Sequence, residues 1–379
     1  MSRAVSGDDA RLSGLIRLRI APKAPRRDGG GRGCGAGGLW GNGGGSESST
    51  SSSTQRATST SASSGSSSTW DDLLTAGGSS TVYPITSKAA SLWNYNAPTS
   101  DAEHWPHETY NIDTDLPFAD YWASQAGYDA DGDKGTLPWH VSIGLSHSGV
   151  GLNKVMKGQV DIGDASAPVT AELSGHDDAF YERFVNHVVG VDAMQIIVSQ
   201  KIYDAGVTQL SADEVRKIYT GDITNWKAVG GPDAEIQVVG RVEGSGTRTI
   251  FHERLLGGKE ASAVAVHKGE NQQVASTVRS SDNAIGYVGY AFVGNGAPAV
   301  DMKIDGTVYN QQKGNLGSRD YLLNRDLHCY TYDDTSKMES AFVNMILSDM
   351  GQQLFVAAND YITLPDERQK NQRSKLDLS

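Results

Sequence analysis

A chain of 379 residues with a formal net charge of -12 is long enough for two ordinary domains and too acidic to hold nucleic acid or an anionic lipid surface through its overall field. Arg3, Arg11, Arg17, Arg19, Lys23, Arg26, Arg27 and Arg32 all fall in the leader, so the body is more acidic than the total, and any anion it binds must be held by local donors. No apolar run reaches the roughly eighteen residues that a membrane-spanning helix needs.

In chain order, residues 1–69 are dominated by Gly, Ser, Thr and Arg, and Ser46–Thr69 (SESSTSSSTQRATSTSASSGSSST) has the composition of a polar tether. Too few apolar side chains stand there to offset the entropy of ordering the backbone, so disorder is expected. A folded body is expected from about Trp70. From Val82 on, apolar runs of strand length (141–143, 160–162, 185–189, 194–198, 236–239 and 284–288) alternate with helix-like stretches, the mark of an α/β fold. Asn94–Pro138 lacks periodicity and reads as a decorated loop region. Ser211 followed by Glu214 forms an S-x-x-E capping box that starts a helix through Val215 and Ile218. Further helices are predicted over Gly246–Leu255 and over Ser336–Leu347, where Met338, Phe342, Met345 and Ile346 hold core spacing. The two cysteines, Cys34 and Cys329, lie one in the leader and one in the body, and no disulfide between them is expected.

Three Gly/Ser/Thr-rich segments stand at predicted strand-to-helix junctions: 77–81 (GGSST), 147–151 (HSGVG) and 244–247 (GSGT). Such junctions expose unpaired N–H groups at a helix start, where the helix dipole favours an anion. Each alone is equally well a tight turn. The third is preceded by Arg241, whose guanidinium can grip two oxygens of a tetrahedral anion, with Glu243 placed to hold it; a surface ion pair is the plainer alternative.

Taken together, 221–226 (GDITNW) with the following Val229-Gly230-Gly231, 241–251 (RVEGSGTRTIF) and 283–290 (NAIGYVGY) resemble motifs of the phosphate-binding proteins of ABC importers, often called PstS. The resemblance covers about Gly78 to Leu364. It implies a two-lobed periplasmic-binding-protein fold of type II, each lobe a central mixed sheet flanked by helices, with two crossover segments as hinge. Lobe 1 is expected from 70–190 plus 290–379 and lobe 2 from 191–289. Carried over, the phosphate ligands are Thr81 and the backbone of Val82, Ser148, and Arg241, Ser245, Gly246 and Thr247. Arg241 is then the single cationic ligand and Glu243 its support. Where many relatives read G-A-S-D-A-P this chain reads 163–168 as GDASAP. Ser166 thus stands where the proton-accepting carboxylate is usual, and Asp164 is the nearest acid, so either Asp164 takes that role or selectivity rests elsewhere.

The implied function is binding of inorganic phosphate for an ABC permease, by a monomer that carries no cofactor, performs no catalysis and touches no nucleic acid. The alternatives are a receptor for another tetrahedral oxyanion, a phosphate sensor, or a phosphate-ester hydrolase on the same fold. An extracytoplasmic, membrane-tethered protein is implied. Arg26-Arg27 and Cys34 resemble a twin-arginine signal ending in a lipidated cysteine, but residues 28–33 (DGGGRG) are no apolar h-region. Either the leader's start or frame is misassigned, or the tail is a genuine cytoplasmic extension. Other readings fail on spacing. In 129–135 (DADGDKG) Lys134 replaces the turn glycine of a calcium loop, His104, His107, His140 and His147 fit no metal motif, and Ser245 sits on no nucleophile elbow.

Overall fold

A computed structural model of the chain describes residues 73–129, 137–294 and 296–379. The expected leader and tether, Trp70, Cys34 and most of the acidic run at 129–135 lie outside the described residues.

The first lobe opens with β1 (Leu73–Ser79), which runs parallel to β2 (His140–Ser146) on one side and β3 (Ile162–Ala165) on the other. Helix α1 (Tyr83–Tyr95) follows β1, with Pro84 in its first turn and Asn96 closing it in the left-handed conformation, placements that suit each residue's backbone preference. Of the region 94–138, the described residues 94–129 are more ordered than their composition suggests. They form α2 (Phe118–Ser124), and Trp105, Phe118, Trp122 and Trp139 are buried beside Trp93 and Phe342 in the core of the first lobe. Aromatic burial without a helical or strand period is what hid this order in the sequence.

Helix α3 (Ser148–Met156) lies directly on β1 and β3. A Cβ at Gly151 would stand 2.5 Å from the Gly77 carbonyl oxygen and 2.8 Å from the Gly78 Cα. The second glycine of the 147–151 segment therefore serves close packing. Strand β4 (Phe184–Ala193) then leaves the first lobe, and β5 (Gln195–Val198) enters the second.

In the second lobe β6 (Gln209–Ser211) precedes α4 (Ala212–Thr220), whose Ser211–Glu214 capping box is present in both directions. Gly221 takes the left-handed C-cap, Asn225 caps a 3-10 turn, and Trp226 is fully buried with its indole N–H on the Asn283 carbonyl. The GDITNW motif is thus structural. Strands β7 (Gln237–Arg241), β8 (Val266–Lys268) and β9 (Ala284–Val288) join β5 in the order β5-β9-β7-β8. Between them run α5 (Gly246–Ile250), which widens into a π-type stretch to Leu255, and α6 (Asn271–Arg279).

The crossing back comes later than expected. β10 (Asp301–Ile304) pairs with β6 and with β11 (Thr307–Tyr309), and Tyr309, Leu316, Tyr321 and Leu323 are buried in the second lobe's core. Residues 299–323 therefore belong to lobe 2, and the return falls at Leu323/Asn324 rather than near 290. Strand β12 (Asn324–Tyr332) then slots antiparallel between β3 and β4, completing a first-lobe sheet of order β2-β1-β3-β12-β4. Helix α7 (Lys337–Leu347), started by a Ser336–Glu339 capping box, and α8 (Asp366–Arg373) finish that lobe.

Candidate functional site

The residues after β1 and β3 and the first turns of α3, α5 and α6 meet along the seam between the lobes. From the first lobe come Ser80 and Thr81, Ser148 at the first position of α3, and Ser166 just past β3; all are buried. From the second come Arg241 at the end of β7, Ser245 capping α5, Gly246, Thr247, and Asn271 at the first position of α6. The Asn271 amide donates to the Thr81 hydroxyl at 2.8 Å and to the Ser80 hydroxyl at 3.1 Å. The Thr81 and Thr247 hydroxyls lie 3.4 Å apart across the seam. The Ser166 N–H donates to the Ser148 hydroxyl at 3.1 Å, and the Gly149 N–H to the Gly244 carbonyl at 2.8 Å. A Cβ on Gly246 would fall 2.6 Å from Ser148 Oγ, 2.8 Å from Ser166 Oγ and 2.9 Å from the Ala167 nitrogen. Only glycine lets these lobes touch here.

Arg241 is 2 % exposed. Its guanidinium donates to the Lys268 and Gly269 carbonyls at 3.2 and 2.6 Å, to Asn271 Oδ1 at 3.0 Å, and reaches Ser80 Oγ at 3.5 Å. No carboxylate pairs with it among the described residues. Burial lowers its pKa from the usual range to about 10, so it stays charged at neutral pH. Its own N–H donates to the Tyr287 hydroxyl at 3.2 Å, and Tyr287 stacks on Phe251 at 4.0 Å. Two aromatics of the resembling motifs thereby fix the strand end that carries the arginine.

The expected support from Glu243 is not what holds Arg241. Glu243 is exposed, and backbone carbonyls with Asn271 hold the guanidinium instead, because a carboxylate left at the surface keeps its hydration. Nor is Arg241 the only cation at the seam. Arg325, at the start of β12 and 2 % exposed, makes a buried ion pair with Asp192 at 2.9 Å. It also donates to the Thr81 hydroxyl at 3.0 Å, the Thr247 hydroxyl at 3.1 Å and the Ser166 carbonyl at 3.3 Å. Sequence reasoning missed Arg325, Asn271 and Ser80. A signal was present: Asp192 sits inside the apolar run 188–198 (VVGVDAMQIIV), and a carboxylate in such a run needs a buried cationic partner.

The remaining candidates lie beside this cluster. Val82 is buried and its N–H donates to the Ser79 carbonyl at 3.1 Å, as part of the turn into α1. The Ser245 hydroxyl accepts from the Arg248 N–H at 3.4 Å as the cap of α5. Asp164 is buried on β3, but its carboxylate accepts from the Thr86 hydroxyl at 2.9 Å and the Cys329 thiol at 3.5 Å, away from the serine pair. Burial raises its carboxyl from an ordinary 3.8 to about 7, against the pull of those two donors. Glu172, in the turn Val169–Glu172, has both carboxylate oxygens buried without a hydrogen bond among the described residues. Oε2 lies 3.6 Å from the Cβ position of Gly149, and burial raises this carboxyl above the ordinary range despite nearby Thr249, Arg325 and Arg241.

The Asp164 shift carries a stability signature. A carboxyl whose folded pKa exceeds its unfolded value holds its proton more tightly in the native state, so stability declines as pH rises from 3.8 to about 7. The loss is on the order of a few kcal/mol. Asp164→Asn is expected to flatten that decline in urea titrations at several pH values between 4 and 8. An unaltered pH profile would remove Asp164 as its source.

No His, Cys, Asp and Glu group among the described residues has the makings of a metal site, and no described helix is long and apolar enough to cross a membrane.

Comparison with known proteins agrees with this geometry. Residues 114–350 match the family described as a PBP superfamily domain. The chain is 31 % identical over 226 residues to the phosphate-binding protein PstS of Bacillus subtilis strain 168, covering 60 % of this chain and 72 % of that protein. It is 27 % identical over 247 residues to a phosphate-binding protein PstS of Staphylococcus epidermidis, covering 62 % and 74 %. In fold it is similar to a phosphate ABC transporter substrate-binding protein from Clostridium perfringens solved with bound phosphate, with a TM-score of 0.56 and 24 % identity over 78 % of this chain and 100 % of that one. A two-lobed α/β body, a seam built of helix starts and a buried arginine, and the match to those relatives together make this chain a member of the PstS family of phosphate-binding proteins, within the PBP superfamily.

Proposed function

We propose that the chain closes its two lobes around inorganic phosphate and presents the loaded form to the permease of an ABC importer, without chemistry of its own. The observation that carries this reading is Arg241: a buried, charged guanidinium with no carboxylate partner among the described residues, at a seam of hydroxyls and helix starts. An uncompensated buried charge is strongly unfavourable, and an oxyanion received there supplies its counter-charge. The proposed ligand set is Thr81, Val82 through its backbone, Ser148, Ser166, Arg241, Ser245, Gly246 and Thr247, joined by Arg325, with Asn271 and Ser80 positioning them. Charge-assisted hydrogen bonds contribute roughly 1.5–3 kcal/mol each. A handful thus exceeds the about 8 kcal/mol of micromolar binding, even after the ordering that binding requires. Action as a monomer, on the outer face of the cell and tethered there by the leader, completes the reading.

Calorimetry of the purified chain with phosphate, arsenate and sulfate tests it. Tight one-to-one phosphate binding is expected, and a chain that binds sulfate but not phosphate would be a receptor for a different oxyanion. Turnover of an aryl phosphate would instead place it among hydrolases.

Selectivity follows from the same side chains. Asp164 is engaged by Thr86 and Cys329, and Ser166 offers a hydroxyl that both donates and accepts. A fully ionised sulfate therefore meets no fixed acceptor at position 166. Ser166→Asp is expected to strengthen the preference for phosphate at least tenfold, because a carboxylate accepts the phosphate proton and repels sulfate. Competition titrations of wild type and variant check this, and equal ratios would move discrimination to another group.

Closure itself is tested at Gly246. In Gly246→Ala the added methyl meets Ser148, Ser166 and the Ala167 backbone of the facing lobe. Phosphate affinity is expected to fall at least tenfold while the ligand-free melting temperature changes little, since each lobe's core is untouched. Wild-type affinity in this variant would mean that the seam does not close on the ligand.

A further inference from the structure

Beyond the seam, a pocket of about 400 Å³ lined by several arginines lies where the lobes join. Arg254 and Arg319 of the second lobe, Arg325 and Asp326 on the returning strand, and Arg368 of α8 all line it. The one carboxylate in the lining is already taken: Arg368 grips Asp326 with two hydrogen bonds of 3.1 and 2.9 Å. Arg325 is likewise matched by Asp192. Arg254 donates to the Asn324 carbonyl and pairs with no described carboxylate, and Arg319 is exposed with no described partner. Two guanidiniums without a described carboxylate partner, Arg254 and Arg319, therefore line one pocket with two paired ones, Arg325 and Arg368, in a chain whose formal net charge is -12.

We propose that this pocket binds an oligophosphate, a short chain of linked phosphoryl groups, at a site that shares Arg325 with the seam but none of its other proposed ligands. Its volume falls in the range of small-ligand pockets, roughly 300–1,000 Å³, and exceeds what a single tetrahedral oxyanion fills. Guanidinium forks match phosphoryl oxygens two at a time and need no water-exposed lysine flexibility to do so. Because the forks come from both lobes, a bound oligophosphate bridges Arg254 and Arg319 to Arg368 and favours the lobe arrangement in which they face one another. By linkage, a ligand that favours the same arrangement at the seam is bound more tightly in its presence. The oligophosphate site is proposed whatever anion the seam takes.

The probe is inorganic tripolyphosphate, titrated by calorimetry into the full chain with and without saturating phosphate, at several salt concentrations. Parallel dialysis follows any release of phosphate. One-to-one binding that persists in saturating phosphate, weakens with salt and releases no phosphate is expected. Arg319→Gln, at an exposed position that cannot disturb the core, is expected to weaken tripolyphosphate binding at least fivefold. Arg254→Gln combined with it should reduce binding at least 30-fold, with phosphate affinity within twofold of wild type. Absence of binding, displacement of phosphate, or unchanged binding in the double variant would each overturn the proposal.

Discussion

Arg325→Met is expected to lower the stability of the protein by about 3–5 kcal/mol, the loss seen when one partner of a buried ion pair is removed. Asp192 is 0 % exposed and takes two donors from Arg325, at Nε and Nη2, with the Tyr290 N–H at 2.8 Å on its other oxygen. Without the guanidinium, that carboxylate is left charged in a medium that solvates it poorly, or must take up a proton. The Thr81 and Thr247 hydroxyls lose their shared donor at the same time, so phosphate binding should weaken as well. Urea denaturation of Arg325→Met, Asp192→Asn and the double variant separates the two effects. The double variant should recover part of the stability and none of the affinity, because pairing is no longer needed but the cation is still missing. A single variant as stable as wild type would show that the pair does not hold the hinge.

Arg241→Met is expected to weaken phosphate binding by about 10²- to 10⁴-fold, which corresponds to two charge-assisted hydrogen bonds of roughly 1.5–3 kcal/mol each. Its effect on stability should be far smaller than that of Arg325→Met. Removing a buried charge that lacks a carboxylate partner relieves a desolvation penalty, while the Lys268 carbonyl keeps the Val242 N–H and Asn271 Oδ1 keeps the Gly289 N–H, so that the Gly269 carbonyl is the acceptor deprived of its donor, at a cost of about 1–3 kcal/mol. The two opposing terms leave a net change within about 2 kcal/mol. Calorimetry and thermal melting on the same preparation read both quantities. Retained affinity would remove Arg241 from the ligand set, and a collapse in stability would make it a structural residue.

The contrast between these arginines marks how far the sequence reached. Arg241 was legible because its chemistry is local: a strand end, a glycine-serine turn and a helix start lie within seven residues, and backbone geometry alone directs their donors to one point. The capping box at Ser211 and the buried run at 284–288 were legible for the same reason, since period and cap chemistry act within one or two turns. Arg325 was not, although Asp192 in its apolar run signalled a missing partner. Those two residues are 133 positions apart, and only the antiparallel pairing of β12 with β4 brings them together.

Tertiary structure also decided the matters on which sequence neighbours mislead. Asp164 and Ser166 are two residues apart, yet the carboxylate engages Thr86 and Cys329 while the serine joins Ser148 at the seam. Glu243 stands two residues from Arg241 and stays at the surface while carbonyls from another loop hold the guanidinium. Residues 299–323 carry no signal of lobe membership in themselves; pairing of β10 with β6 assigns them. The sequence by itself determined the α/β alternation, the helix starts and the turn from Arg241 into the helix at Gly246, because propensity, capping and backbone dipoles are short-range. Which charges are paired, which acids face the seam and where the chain crosses back depended on packing between distant segments, since burial converts a solvated charge into one that must find a partner.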